Sequence, residues 1–259
     1  MSNILERFSL KGKVALLTGG AGLYGRQLTE ALAEAGAVTC IASRNLEKLK
    51  ETAASFDNVY PFAMDLEDEN SIRSTVAEII DRFGKIDILV NNAVTRCACS
   101  SWELSMEDFD KSLHVNASSL FVLTRLCAED MKKRHTGSVV NIGSYMGLLG
   151  PNFTNYVGTH MYDNPSPIYF YEKGGMVNFT RFAASVLGRD NIRVNCICPG
   201  GLLDKSHQSP FIKQYSANTM LGRLANDTDL KGIIVFLASD ASLYVTGTNI
   251  PVDGGYTAK

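Results

Sequence analysis

The chain has no run of apolar residues approaching the roughly 18 that a membrane-spanning helix needs, and its start, MSNILERFSLKGK, lacks the apolar core of a secretory leader. Both absences predict a cytoplasmic protein with no membrane partner. An excess of charge of one sign is missing too. Lys and Arg number 25 against 27 Asp and Glu, a formal net charge of −2, so electrostatics favours neither a nucleic-acid partner nor an anionic membrane. No internal repeat, low-complexity tract or Pro/Ser-rich linker divides the 259 residues, which predicts one domain over residues 1–259. Cysteine is scarce and spaced wrongly for metal. Among six, Cys97 and Cys99 form one C-x-C and Cys196 and Cys198 another, whereas zinc thiols usually stand two to four residues apart. The expectation is small buried hydrophobes and loop thiols, kept reduced, with no metal site.

What is present is alternation. Short apolar runs, KVALLT, AVTCIA, VYPFAM, IDILVNN, SVVNIG, IRVNCIC and TNIPV, are separated by helical patterns. In SLHVNASSLFVLTRLCAEDMKKRH, Leu113, Leu120, Leu123 and Met131 recur at helical spacing, and Lys132, Lys133 and Arg134 suit a helix C-terminus. Continuous apolar strands separated by helices predict an α/β fold: a doubly wound, Rossmann-like domain whose mostly parallel, seven-stranded sheet is covered by helices on both faces.

The first crossover carries the first chemical signal. KVALLT runs into GGAGLYG and then a helix, so Gly19, Gly22 and Gly25 let the backbone turn tightly and approach a pyrophosphate at the helix N-terminus, beside Leu23 and Tyr24. After the second strand, ASRN has no acid to accept hydrogen bonds from an adenosine 2′-hydroxyl; it offers Ser43, Arg44 and Asn45. A guanidinium pairs with a 2′-phosphate that an acid would repel. The expected cofactor is therefore NADP, with NAD as the alternative.

Further landmarks follow in order: Asp65 and Leu66, NNA at 91–93, Asn116, Ser144, Tyr169-x-x-x-Lys173, RVN at 193–195, PG at 199–200 and VDGG at 252–255. With the glycine turn, they make nearly the whole chain resemble the one-domain short-chain dehydrogenase/reductase family, including its gluconate 5-dehydrogenase-like members. The resemblance implies that Asp65 and Leu66 border the adenine, that Asn92 and Ala93 line the cofactor, and that Pro199, Gly200 and Leu202 lie near the nicotinamide. It implies a catalytic group of Asn116, Ser144, Tyr169 and Lys173, with Asn116 holding a water that relays protons to the lysine. It also implies a homotetramer or homodimer built by pairing the helices of Asn116 and Lys173 with their symmetry mates, a contact that Gly174 and Gly175 would let approach closely.

The chemistry can be argued beside the resemblance. Reducing a ketone needs a hydride and a proton; the reverse needs a base for the alcohol. An ammonium about 4 Å from a phenolate stabilises it by roughly 4 kcal/mol at an effective dielectric of about 20, so Lys173 favours the reactive form of Tyr169. On a helix, i and i+4 share a face while i and i+2 lie about 200° apart. Tyr169 therefore serves as acid/base, and Tyr171 faces away and packs. Ser166 as N-cap and Pro167 at the first helical position start this helix. Ser144, following the fifth strand, stands where open α/β sheets hold ligands and can hydrogen-bond the substrate oxygen.

Several features depart from the family pattern. Thr18 to Gly25 reads T-G-x-x-G-x-x-G, as in the longer epimerase and dehydratase branch, Val94 replaces a usual glycine, and Asp204 stands where a threonine is common. Ser144 and Tyr169 are about twice as far apart as the family usually has them. The extra residues, within LLGPNFTNYVGTHMYDNPSP, read as a polar and aromatic loop over the active edge. Asn152, Asn155, Tyr156 and His160 offer it hydrogen bonds to a polyhydroxylated substrate. A lid is expected in LLDKSHQSPFIKQYSANTMLGR, where Asp204, Lys205 and His207 are polar, and Trp102, after TRCACSS, could form a wall. The expected function is an NAD(P)-dependent alcohol/ketone oxidoreductase acting on a sugar, sugar acid or polyol. The alternatives are a 3-oxoacyl thioester reductase, an epimerase or dehydratase, and a non-enzymatic dinucleotide sensor.

Overall fold

In a computed structural model of the chain, which describes residues 3–95, 102–160 and 166–258, the seven apolar runs form one sheet. Its strands are β1 (Val14–Thr18), β2 (Val38–Ser43), β3 (Val59–Ala63), β4 (Ile88–Asn91), β5 (Gly137–Ile142), β6 (Ile192–Pro199) and β7 (Asn249–Val252). Their order is β3-β2-β1-β4-β5-β6-β7 and every pairing is parallel, so the expected mostly parallel sheet is parallel throughout. Two strands contain proline, Pro61 in β3 and Pro251 in β7. Both are edge strands, where a missing ladder donor does least harm.

Successive strand residues point to opposite faces, and each face has its own core. Ala15, Leu17, Ile41 and Val90 pack under α1 (Leu23–Glu34) and α8 (Lys231–Ala238). Leu16, Cys40, Leu89 and Val194 pack under α3 (Glu69–Phe83), α5 (Ser119–Arg134) and α6 (Pro167–Leu187). Between these lie α2 (Leu46–Ala53), α4 (Met106–Leu113) and α7 (Ser209–Asn218). Polar side chains cross the second core as a satisfied ladder: Asn91 donates to Thr124 and Asn141, and Asn141 donates to Thr180.

One local expectation needs correction. The pattern from Ser112 to His135 is not one helix: α4 ends at Leu113, a π turn spans His114–Ser118, and α5 begins at Ser119. Asn116 sits in that turn, and such turns often mark functional positions. Ser166 stands at the N-cap of α6 with Pro167 following, but its hydroxyl makes no capping hydrogen bond. Gly174 and Gly175, expected to face a symmetry mate, have no closer neighbour within the chain than the Gly147 carbonyl oxygen, 3.9 Å from a Cβ on Gly174. The tight approach belongs to Gly147, where an added Cβ would lie 2.6 Å from the Lys173 carbonyl oxygen, whereas one on Gly175 would meet nothing within 4 Å.

Cys196 and Cys198 are buried on one face of β6 with their sulfurs 3.8 Å apart, packed with Val177 and Leu148. Burial pushes the Cys40 thiol up to about 12, so it behaves as a small hydrophobe. Cys97 and Cys99 lie outside the described residues.

Candidate active site

The sheet order reverses between β1 and β4, which opens a crevice at the carboxyl ends of those strands, where doubly wound folds bind ligands. A cavity of about 920 Å³ occupies it. The β1 end builds its floor. Gly19 has φ +69°, a conformation that favours glycine, and a Cβ there would lie 3.1 Å from Ala93 Cα. Gly22 is the N-cap of α1, whose first amides open toward the cavity. Gly25 is not a lining residue. It allows α1 to sit against the turn, since an added Cβ would collide with the Gly19 carbonyl oxygen.

The β4 end locks this turn in place. Thr18 Oγ1 accepts from the amides of Asn92 and Ala93 at 3.0 and 2.9 Å, while Asn92 Nδ2 donates to the carbonyls of Thr18 and Gly19. Across the cleft, Tyr24 donates to the Gly200 carbonyl at 2.7 Å, and Tyr215 accepts from the Gly201 amide at 2.6 Å. Gly19, Gly22, Leu23, Tyr24, Asn92, Ala93, Pro199, Gly200 and Leu202 thus come together on the cavity wall. A helix N-terminus and a glycine surface on which a Cβ would be tight fit a pyrophosphate.

Ser43, Arg44, Asn45, Asp65 and Leu66 line the far end. Asn45 also caps α2, accepting from the Lys48 amide at 3.0 Å. Arg44 forms an ion pair with Glu67 at 3.3 Å and remains largely exposed. Lys48 lines the cavity as well and went unnoticed in the sequence. Its signal was present: it stands four residues after Arg44, one turn into α2.

Ser144, Tyr169 and Lys173 line the other end. The extended backbone of Ser144 leaves β5 and caps the short turn Tyr145–Gly147, with Oγ accepting from the Met146 amide at 3.1 Å. Lys173 is buried. Its Nζ donates to the Ile142 carbonyl at 2.8 Å and stands 5.6 Å from the centroid of the Tyr169 ring. Lys173 is thereby fixed to the end of the strand that Ser144 follows, with the Tyr169 ring beside it. Tyr171 does point away, as helical geometry requires. However, it does not pack into a core: it is 63% exposed and meets Phe109 edge-on at 5.5 Å.

Asn116 stands behind the cavity wall rather than in it. Its Oδ1 accepts from the Thr95 amide at 2.9 Å, and its Nδ2 reaches the Thr95 carbonyl, Ser112 and Glu172. The side-chain amide is therefore committed to protein groups.

The extra loop folds back over the active edge and docks on α7. Asn155 is buried, donating to the Tyr256 hydroxyl and accepting from Asn218 Nδ2; Gln214 Nε2 donates to the Val157 carbonyl. Tyr156 lines the cavity and stacks near Phe211. Asn152 and His160 do not line it. Asn152 Oδ1 is taken by Thr154 in its own turn, and the His160 amide donates to Gln208. Trp102 is 82% exposed and forms no wall. The lid does face the cavity: Asp204, Ser206 and His207 line it, Ser206 donates to Asp204 Oδ1 twice, and His207 packs on Phe211 at 4.9 Å. These bonds from Ser206 hold the Asp204 carboxyl below the usual range. Tyr145, Met146, Phe211 and Tyr215 complete the rim; Phe211 and Tyr215 were concealed by their distance in sequence from the motifs, and Tyr145 and Met146 by following Ser144 without a pattern of their own.

Residues 22–257 match a family model described as enoyl-(acyl carrier protein) reductase. The chain is 34% identical over 257 residues to a 3-oxoacyl-(acyl-carrier-protein) reductase of Thermotoga maritima, covering 95% of this chain and 98% of that one. It is 33% identical over 266 residues to a 2-dehydro-3-deoxy-D-gluconate 5-dehydrogenase of Dickeya dadantii, covering 99% and 100%. A solved gluconate 5-dehydrogenase from Burkholderia cenocepacia, in complex with NADP and tartrate, superposes with a TM-score of 0.87 at 28% identity, covering 99% of this chain and 100% of that one. A glycine turn at the switch point, a serine at a strand end and a tyrosine–lysine pair one helical turn apart thus coincide with whole-length likeness to such enzymes. The chain belongs to the short-chain dehydrogenase/reductase family of oxidoreductases acting on CH–OH groups.

Proposed function

We propose that this enzyme interconverts a secondary alcohol and a ketone of a sugar or polyol, using NADP in preference to NAD. The observation that carries the reading is the convergence of Ser144, Tyr169 and Lys173 on one end of a cavity whose floor is the glycine turn. Bound along that floor, a nicotinamide dinucleotide supplies or accepts the hydride. In reduction, the Tyr169 hydroxyl donates a proton to the carbonyl oxygen as charge develops there; in oxidation it removes the proton of the alcohol. Ser144 donates a hydrogen bond to the same oxygen, a contact worth most at the transition state. Lys173 places its positive charge beside the phenol, held there by Ile142. Asn116 keeps the wall behind them in place.

Arg44 and Lys48 support the choice of NADP, because both cations line the end of the cavity that would hold the 2′-phosphate. The polar rim of Asp204, Ser206 and His207 beside Tyr156 supports a hydroxylated substrate, since rings and hydroxyls together suit the faces and edges of a sugar. A 3-oxoacyl thioester is the second reading, favoured by the Thermotoga relative. Following nicotinamide absorbance with sugars, polyols, sugar acids and 3-oxoacyl thioesters, each with both cofactors, separates the two. Turnover of polyhydroxylated substrates with NADP is expected, and turnover confined to thioesters would reverse the assignment.

The whole chain acts as one catalytic domain in the cytoplasm, and it assembles as a homotetramer through α5 and α6. Phe121 on α5, and Tyr171, Phe182 and Val186 on α6, are exposed on these two helices, with Phe179 linking Phe121 to Phe182 by ring contacts. An apolar patch of this kind is unusual on a monomer.

A further inference from the structure

Glu172 is a carboxyl group that the catalytic chemistry leaves unused. It is 6% exposed, lying on α6 between outward-pointing Tyr171 and Lys173. Burying a carboxylate is costly unless donors surround it. The donors here come from other segments. Ser112 Oγ, near the end of α4, donates to Oε1 at 2.6 Å, and Asn116 Nδ2, in the π turn, lies 3.1 and 3.0 Å from Oε1 and Oε2.

The asparagine amide carries the connection onward. Its NH₂ has two hydrogens. One goes to the Thr95 carbonyl at 2.8 Å, while the other is shared between the carboxyl of Glu172 and Ser112 Oγ at 3.2 Å. The Asn116 oxygen accepts from the Thr95 amide, so both backbone groups of Thr95 are held by one side chain. Thr95 is no bystander: with Asn92, Ala93 and Val94 it lines the cavity. The catalytic helix, α4, the π turn and the segment after β4 therefore meet in a single buried hydrogen-bonded cluster.

We propose that Glu172 is a positioning residue for dinucleotide binding: acting through Asn116, it holds the 92–95 wall of the cavity in register with the Tyr169–Lys173 turn of α6. The proposal rests on the cavity being the dinucleotide site, which wild-type binding tests by itself. Shape, rather than charge, is what the role requires. Burial raises the Glu172 carboxyl above the usual range, against the opposing hydrogen bonds from Ser112 and Asn116 and the nearby Lys173. A neutral glutamine fits the same contacts, its oxygen accepting from Asn116 while its NH₂ faces Ser112, whose hydroxyl can accept as well as donate. Methionine fills similar space, removes the buried acid without stranding a charge, and gives Asn116 nothing to bind.

The test is calorimetric titration of NADPH into wild type, Glu172→Gln, Glu172→Met and Ser112→Ala, with thermal melts of each. The expected dissociation constant of Glu172→Gln is within about threefold of wild type. That of Glu172→Met is at least about tenfold weaker, about the worth of one net hydrogen bond, in a protein still folded at the temperature of the titration. Ser112→Ala, which removes a donor to the carboxyl but no atom of Asn116 or Thr95, is expected to weaken binding by an intermediate factor. Binding by Glu172→Met at wild-type strength overturns the proposal, and so do equal losses in the Gln and Met variants. If Glu172→Met does not fold, unchanged binding by Ser112→Ala overturns it just as well. Wild type that binds no dinucleotide would count against the cavity assignment, not against the cluster.

Discussion

Arg44 is the side chain on which cofactor choice is expected to turn. Its guanidinium already pairs with Glu67 at 3.3 Å, so a 2′-phosphate must compete with a carboxylate, in an exposed setting that screens both contacts. A charge-assisted hydrogen bond contributes about 1.5–3 kcal/mol. Arg44→Ala should therefore weaken NADP about tenfold or more and leave NAD nearly unchanged, as comparative titrations of the two cofactors would read; equal weakening of both would place the guanidinium elsewhere. Legibility at this scale followed simple geometry. Helical angles alone separated Tyr169 from Tyr171. What they could not say is what Tyr171 meets after turning away, because exposure depends on the neighbouring helix, which offers only the edge of Phe109. Glu172 was silent for the same kind of reason: a charged residue beside a lysine reads as solvated, and only the fold places Ser112 and Asn116 around it.

The extra loop and α7 behave as one element. Asn155 joins them to the C-terminal Tyr256, whose ring stacks on Tyr145 at 4.7 Å and Tyr215 at 5.0 Å, and Tyr215 in turn holds the Gly201 amide. A chain of contacts thus runs from the loop to the cavity floor, and it restrains a segment that would otherwise be a mobile lid. Asn155→Ala removes the amide that donates to the Tyr256 hydroxyl and one of the acceptors of Asn218, whose Nδ2 keeps the Gln214 carbonyl, at a cost of about 1–3 kcal/mol. We expect KM for the alcohol or ketone to rise severalfold while cofactor binding stays within about twofold; a rise confined to cofactor binding would deny the coupling. The loop's length and its place after Ser144 were visible in the sequence. Its contacts were not. Polar residues there looked like ligands for substrate, yet Asn152 is used by its own turn and Asn155 by the protein interior, so Tyr156 is the residue of this group that reaches the cavity. The π turn was hidden likewise, since apolar spacing continues through it and the interruption is fixed by Asn116 bonding outside its own helix.

For the whole molecule, the alternation of apolar runs was enough to define the sheet, its seven strands and the edge that holds the cavity, because buried parallel strands admit few other patterns. One global property follows from a single buried acid. Burial raises the folded-state Glu172 carboxyl above its unfolded value, so the folded chain keeps that proton at pH values where the unfolded chain has released it. Stability then falls as pH rises from the ordinary carboxylate range through the raised value, and levels off above it. Glu172→Gln should flatten this part of a stability-versus-pH curve measured by denaturant unfolding; an identical slope in wild type and variant would mean the carboxyl titrates alike in both states. The central claim, however, is that Tyr169 exchanges a proton with a substrate oxygen at the end of a dinucleotide cavity. The most direct test is turnover, followed by nicotinamide absorbance, for wild type and Tyr169→Phe on the best substrate of the panel, with NADPH binding measured in parallel. The account predicts a loss in kcat of about 10²–10⁴-fold, the usual worth of a general acid or base, with cofactor affinity unchanged; turnover that survives removal of the hydroxyl would contradict it.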